Sequence, residues 1–397
     1  MKILFSPAHY SYDDTSGSEL AWTYDLVSRL AKLNNQSVVV TGFKRLTTSP
    51  SYRIIELTPK WNEVDYSQGK ALVFCILYSF KTSSLLWRDK FNVVHHVLPF
   101  GLERTFNLAI LFNRKTPFIV GPVQSPLDFK DKGFDQSASV TKRSRKTLES
   151  LFNTVTAPLL RKLSDLTLQK AKFVIVPHLR TRQLLQGKVS DPKKLVVIPM
   201  GIDTNHFLPS KSKKSDAKVV FITASFLIKR KNIECIIRAM RILKDLNDCC
   251  VLKIVGDGPE QSNLVHLVES LGLKELVEFN GWLSREMIIQ AYQKSDVYIS
   301  MSRSESFSNT CLEAMACGLP VISTKVGCFE DTVEEGSNGY LIGQNDDTSL
   351  ANRMQALIND RKKLANMQLL ARKKMLNDYD WDTVVIPKFM DVYNSLG

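Results

Sequence analysis

The chain has 397 residues, 44% of them hydrophobic and 23% charged, which suits a soluble globular protein of two or three domains. Its formal net charge of +13 is uneven. Residues 1–200 carry 29 Lys and Arg against 15 Asp and Glu, or +14, whereas residues 201–397 carry 24 against 25, or −1. An excess confined to one half points to an anionic partner for that half: a membrane, an acidic polymer or a nucleic acid.

Taken in chain order, residues 2–6 read as a strand and 18–33 as a helix with Leu20, Tyr24, Val27, Leu30 and Ala31 on one face. The chain enters that strand directly, with no signal-peptide pattern. Strands follow at 37–41, 93–97 and 118–120, with a helix over 72–87. Its apolar core, residues 71–80, is too short to span a bilayer. Residues 141–172 form a long helical stretch with Leu148, Leu151, Phe152, Val155, Leu159 and Leu163 among basic residues, kinked or divided at Pro158. That stretch is either a domain-surface helix with a solvated basic face or a helix lying on an anionic bilayer. Strands 173–177 and 195–199 close the first series, and the Lys-rich segment 210–218 reads as a linker.

A second series repeats the alternation. Strands fall at 219–223, 251–255, 277–279 and near 298–301, and helices at 232–246, 261–271 and 284–294. Helical segments at 348–377 and 383–396 end the chain. Two βα series with apolar strands predict an α/β protein with two parallel, doubly wound sheets, expected to face each other across a cleft. The seven cysteines are odd in number and lack CxxC spacing, so a reduced, cytosolic chain without zinc or disulfides is expected.

The richest stretch is residues 303–324, RSESFSNTCLEAMACGLPVIST. Ser308 or Asn309 can cap a helix whose apolar face is Leu312, Met315 and Ala316, and Gly318 with Pro320 ends it. The N–H groups of such a helix start favour a phosphate. Two carboxylates, Glu305 and Glu313, are acceptor-only groups suited to hydroxyls. A diphosphate flanked by a ribose and a hexose satisfies both demands. A capped helix with two solvated acids is the plainer alternative.

These residues carry a resemblance. Glu305 and Glu313 stand as the E-x7-E pair of the retaining glycosyltransferases of family four, which have the GT-B fold. VVIPMGIDTNHFLP (196–209), VGDGPE (255–260), VVHHV (93–97) and VGPVQ (120–124) resemble other segments of that family, in its bacterial polysaccharide branch, in the right order. The resemblance implies an N-terminal acceptor domain over 1–209 and a donor domain over 210–382, with the helix around 383–396 packing back on the first. It places Glu313 on the donor ribose and Glu305 on the donor sugar. Ser306, Phe307, Ser308, Asn309 and Thr310 line the sugar and diphosphate. Gly17 and Ser18 form a turn near the diphosphate, and Gly256, Asp257 and Trp282 lie on the donor side. Lys231 matches the lysine of the family's R-x4-K pair, but Phe226 stands where the arginine is usual; Lys229 and Arg230 either replace it or face solvent. One of His95 and His96, which point to opposite faces of a strand, is expected at the sugar or acceptor.

The expected reaction is metal-independent transfer of a sugar, with retention, from a nucleotide-diphosphate donor to a saccharide or lipid-linked acceptor. No cofactor is expected, nor is a nucleic-acid partner. The expected location is cytoplasmic, peripheral on the membrane face through the basic half. Two alternatives have other features. A non-catalytic sugar-nucleotide sensor is consistent with Phe226. A nicotinamide-dependent dehydrogenase needs the third glycine of G-x-G-x-x-G, which Gly256-x-Gly258-Pro259-Glu260 lacks.

Overall fold

Short runs of β-branched residues build two all-parallel sheets. The computed structural model describes residues 1–8, 19–33, 36–42, 50, 52–58, 68–97, 106–113, 115–123, 146–210, 218–246, 250–305 and 307–396, with the backbone alone at 19–21, 68–71 and 146–156. The first sheet has strands β1 (Ile3–Phe5), β2 (Val38–Thr41), β3 (Arg53–Glu56), β4 (Val93–His96), β5 (Phe118–Val120), β6 (Phe173–Val176) and β7 (Leu195–Val197). Their spatial order is β3-β2-β1-β4-β5-β6-β7. The second has β8 (Val219–Ala224), β9 (Cys250–Val255), β10 (Val277–Gly281), β11 (Val297–Ser300), β12 (Val321–Thr324) and β13 (Gly339–Ile342), in the order β10-β9-β8-β11-β12-β13. The protein is α/β and has the GT-B fold, two doubly wound parallel-sheet units in one chain.

Both faces of the second sheet are covered, as parallel sheets require. Val219, Phe221, Leu252, Ile254, Val297 and Ile299 point into one apolar cluster; Ile222, Ala224, Val255, Tyr298 and Val321 point into the other. Strand order reverses between β8 and β11, so their C-terminal ends diverge and leave the crevice where such sheets bind ligands.

Among the described residues, the first unit gathers the chain through Gly201 together with the segment from Asp382 onward; the second is Ile202–Trp381. The division falls before, not after, residues 202–209. Ile202 pairs with Asp380, the Thr204 hydroxyl donates to Asp380 Oδ2 at 2.5 Å, and Arg372 donates to the Phe207 carbonyl at 2.8 Å. The last helix, Ile386–Asn394, packs on the first unit, where the Tyr393 hydroxyl lies 2.7 Å from His95 Nδ1.

The basic stretch at 141–172 is helical over Lys146–Lys170, and Pro158 lies inside that helix. Lys142, Arg143 and Arg145 lie outside the described residues. Leu160, Leu163 and Leu168 pack on the core of the first unit, whereas Leu159 is exposed. The segment expected as one helix over 348–377 is two, Asp347–Asn359 and Arg361–Lys374. They meet at Asp360, whose carboxylate caps the second by accepting from Lys363 N at 2.9 Å.

Candidate functional site

The loops that follow β8 and β11 meet at the reversal of strand order. After β8 the chain makes a 3-10 turn, Lys229–Lys231, then passes through Asn232 in the left-handed region (φ 52°) into the helix Ile233–Leu246. Asparagine tolerates that conformation better than other side chains. After β11 the chain runs through Ser302, Arg303 and Ser304 to Glu305. Thr324 Oγ1 holds this loop by donating to the Ser302 carbonyl at 2.6 Å.

Glu305 is 6% exposed, yet it is well supplied with donors. Lys231 Nζ lies 2.5 Å from its Oε2, the Ser302 hydroxyl donates to the same oxygen at 3.2 Å, and Arg230 Nη1 stands 3.5 Å away. Arg230 also donates to the Ser304 carbonyl at 2.5 Å. The Arg230 side chain, open as replacement or solvent-facing in the sequence, thus faces the carboxylate. Removing either cation would leave a buried anion short of charge, the costly way to disturb such a pair.

Glu313 sits on the helix Asn309–Ala316, whose N-cap is Ser308, accepting from Cys311 N at 3.3 Å. Glu313 is 4% exposed and accepts from the Tyr292 hydroxyl at 3.3 Å. Burial, with the neighbouring carboxylate, pushes the Tyr292 phenol well above its ordinary value, so it remains a donor. Thr310 is held by the Tyr298 hydroxyl at 2.8 Å, and Phe307 packs half-buried against the cluster beneath. Gly17, Ser18 and Ser306 lie outside the described residues.

Gly256 and Gly258 serve close packing. A Cβ on Gly256 would lie 1.9 Å from the Ser225 carbonyl oxygen, and one on Gly258 2.5 Å from that of Leu227. Their φ values of 121° and 156° exclude most side chains in any case. Asp257 accepts Leu227 N through its carbonyl at 2.8 Å. This leaves Phe226 and Trp282, 51% and 66% exposed, on the loops at the ends of β8 and β10.

The two histidines differ sharply. Both are fully buried. His95 is packed and bonded: Nδ1 to Tyr393 Oη at 2.7 Å, Nε2 to the Gly121 carbonyl at 3.0 Å, and its ring against Phe5 and Phe389. His96 turns to the opposite face, edge-on to Tyr78, and neither ring nitrogen has a hydrogen-bond partner among the described residues. Burial lowers His95 to about 4. Burial, then repulsion from His95, lowers His96 to about 3, so both are neutral at pH 7.

Sequence reasoning missed the support behind Lys231 and Glu305. Arg303 donates from Nη2 to Asn232 Oδ1 and from Nε to Asn345 Oδ1, each at 3.3 Å, and Asn232 Nδ2 donates to Asn345 at 3.1 Å. The available signal was asparagine at two left-handed positions, 232 and 345.

Residues 205–374 match the family model of glycosyl transferases group 1. The group 1 segment covers the whole arrangement around Glu305 and Glu313. The chain is similar to N-acetyl-alpha-D-glucosaminyl L-malate synthase of Bacillus anthracis, 30% identical over 171 residues, 43% of this chain and 44% of that one. It is also similar to the putative colanic acid biosynthesis glycosyltransferase WcaL of Escherichia coli, 29% identical over 199 residues, 48% of this chain and 49% of the other. The chain spans about half the length of the curated relatives it matches. Among solved structures, sucrose-phosphate synthase from Thermosynechococcus elongatus aligns with a TM-score of 0.76 at 18% identity, covering 100% of this chain and 98% of that one. Anabaena HepE in complex with UDP-glucose aligns at 0.67 and 20%, covering 100% and 99%. At such identities the likeness is one of fold.

Proposed function

We propose that this chain is a group 1 glycosyl transferase, moving a sugar from a nucleotide-diphosphate donor to an acceptor hydroxyl, with retention of anomeric configuration, in the synthesis of a cell-surface glycan or polysaccharide. The observation that carries the reading is the Lys231–Arg230–Glu305 cluster beside the N-terminus of Asn309–Ala316, at the strand reversal. The HepE structure holding UDP-glucose and the polysaccharide role in the name of WcaL support the donor and product classes.

In this reading the diphosphate lies against the N–H groups that open the helix and draws Lys231 away from Glu305. The freed Glu305 accepts from the sugar hydroxyls, and Glu313 accepts from the ribose. Trp282 offers an exposed aromatic face on the nucleobase side. Arg230 supplies the second cation that Phe226 does not. The charge on the leaving diphosphate is thus assigned to Lys231, Arg230 and backbone N–H groups rather than to a metal. The bond from the anomeric carbon to the phosphate oxygen breaks as the acceptor oxygen attacks from the same face. The acceptor's proton passes to that phosphate oxygen. His96, neutral and unpartnered, is the histidine assigned to the substrate; His95 is structural.

A second reading, a sugar-nucleotide binder without turnover, rests on the exposed Phe226 at the usual arginine position. One set of measurements separates the two. Thermal shift with a panel of nucleotide sugars identifies the donor, and transfer or donor hydrolysis is then followed. Glu305→Gln and Lys231→Met are each expected to lower turnover by about 100-fold or more, while Glu313→Gln weakens donor binding first. Donor binding without turnover in the unaltered protein favours the second reading. Full turnover in Lys231→Met sinks the site assignment.

A further inference from the structure

The helix Gln68–Arg88 is apolar on two sides. Phe74, Cys75, Tyr78 and Leu85 pack into the core of the first unit. On the opposite side Val73, Ile76, Leu77, Phe80 and Trp87 are 48%, 36%, 39%, 70% and 87% exposed. Their spacing of three, four, seven and fourteen residues from Val73 puts them on one stripe. The short helix Ala109–Phe112 is tied alongside, with Leu108 N donating to Ser79 Oγ at 3.0 Å, and it adds Phe112 at 82% exposure. Single exposed apolar side chains are ordinary on a soluble protein; six on one pair of helices form a patch that marks an interaction surface.

The surroundings indicate the partner. Exposed Arg88 follows Trp87, Lys90 lies two residues on, and Lys115 lies three beyond Phe112. Residues 68–120 hold seven Lys and Arg against two acids. One of those acids, Asp89, is engaged by Lys2 at 3.0 Å. Two copies meeting through this face would set like charges against each other, which disfavours self-association. An apolar stripe rich in Phe and Trp beside basic residues matches the boundary between acyl chains and anionic headgroups. Among the described residues no helix is long and apolar enough to cross a membrane, so the fit is to a surface.

We propose that this face docks the chain on an anionic bilayer, with Phe80, Trp87 and Phe112 in the headgroup region and Arg88, Lys90 and Lys115 on the lipid phosphates. This face is separate from the helix Lys146–Lys170, in which Leu160, Leu163 and Leu168 pack on the core and Leu159 is exposed. It stands independently of the donor site.

The test is co-sedimentation of the full chain with vesicles of phosphatidylcholine alone and of phosphatidylcholine with phosphatidylglycerol, at low and high salt. Binding to the phosphatidylglycerol vesicles is expected, weakened by salt. Phe80→Ser with Trp87→Ser is expected to lower it by about tenfold or more. Arg88→Glu with Lys90→Glu is expected to remove the preference for the anionic lipid. Circular dichroism of both variants should match the parent. Absence of binding at low salt, or equal binding by a folded Phe80→Ser, Trp87→Ser variant, overturns the proposal. So does a vesicle-free dimer that the same variant dissolves, since the face would then join two copies.

Discussion

Replacing His96 by leucine is expected to stabilise the protein, and to do so more strongly in acid. The side chain is fully buried, and neither nitrogen has a partner among the described residues. An unsatisfied buried polar group costs ~1–3 kcal/mol, which a similarly sized apolar side chain relieves. Protonation adds a second contribution. Burial, and next the charge of His95, lower the folded-state pKa of His96 from 6.5 to about 3. Because that value lies below the unfolded one, the unfolded chain takes up a proton first as the pH falls. Stability is therefore full above the ordinary value and lost progressively from 6.5 down towards 3. At about pH 4.5, two units below the ordinary value, the loss is ~2.7 kcal/mol at 1.36 kcal/mol per unit. Urea unfolding of both proteins at about pH 7.5 and about pH 4.5 gives the difference directly. The variant is expected to gain ~1–3 kcal/mol near neutrality and ~2–3 kcal/mol more in acid. A gap that fails to widen between the two pH values refutes the reasoning, because His96 would then be charged or solvated in the native protein. If the stabilised variant also loses sugar transfer, the unpartnered nitrogens belong to the substrate.

Three further outcomes follow from the geometry. Gly256→Ala would place a Cβ 1.9 Å from the Ser225 carbonyl oxygen at a φ of 121°, and is expected to cost ~2–4 kcal/mol in thermal unfolding; a loss below ~1 kcal/mol would show that the loop relaxes freely. Arg372→Met removes a guanidinium that donates to the carbonyls of Thr204, Phe207 and Ala316, each at 2.8 Å, and is expected to lower stability by ~2–4 kcal/mol in urea unfolding. A Lys231→Met, Glu305→Gln double-mutant cycle, measured without donor, is expected to show a coupling of ~1–3 kcal/mol, whereas additivity within ~0.5 kcal/mol would mean that the pair does not form in solution.

What could be read in advance was whatever is encoded locally. VVVT, FVIV and VYIS announce buried parallel strands because each is a short, β-branched run. The Ser308 cap and the Gly318 stop follow equally local rules, and Gly318 takes a φ of 85°. Strand β3 escaped because RIIE holds two apolar residues at a half-exposed edge. Strand β13 begins with Gly339, a residue that ordinarily argues against a strand. Here a Cβ would stand 2.2 Å from the Val321 carbonyl oxygen, so pairing with β12 demands glycine, and only the assembled sheet shows it. The site divides in the same way. Glu305 and Glu313 were visible from spacing within one loop and helix. The contact of Arg230 with Ser304, and the Arg303–Asn232–Asn345 cluster, join residues some 40 to 110 positions apart and leave no periodic trace. The separate fates of His95 and His96 were set by parity along the strand, but which of them is bonded depended on Tyr393, nearly 300 residues away.

The assignment of residues from Asp382 onward to the first unit bears on how the protein is made. Domains emerging from a ribosome generally fold in order of synthesis, the N-terminal one first. Here the first unit cannot complete its packing until Phe389 and Tyr393 have been translated, after the entire second unit. The second unit, continuous from Ile202 to Trp381, has all its contacts available earlier. The half that is synthesised first is thus finished last, and a ribosome that stalls or a stop codon just before Ile386 would damage the N-terminal sheet rather than the second unit.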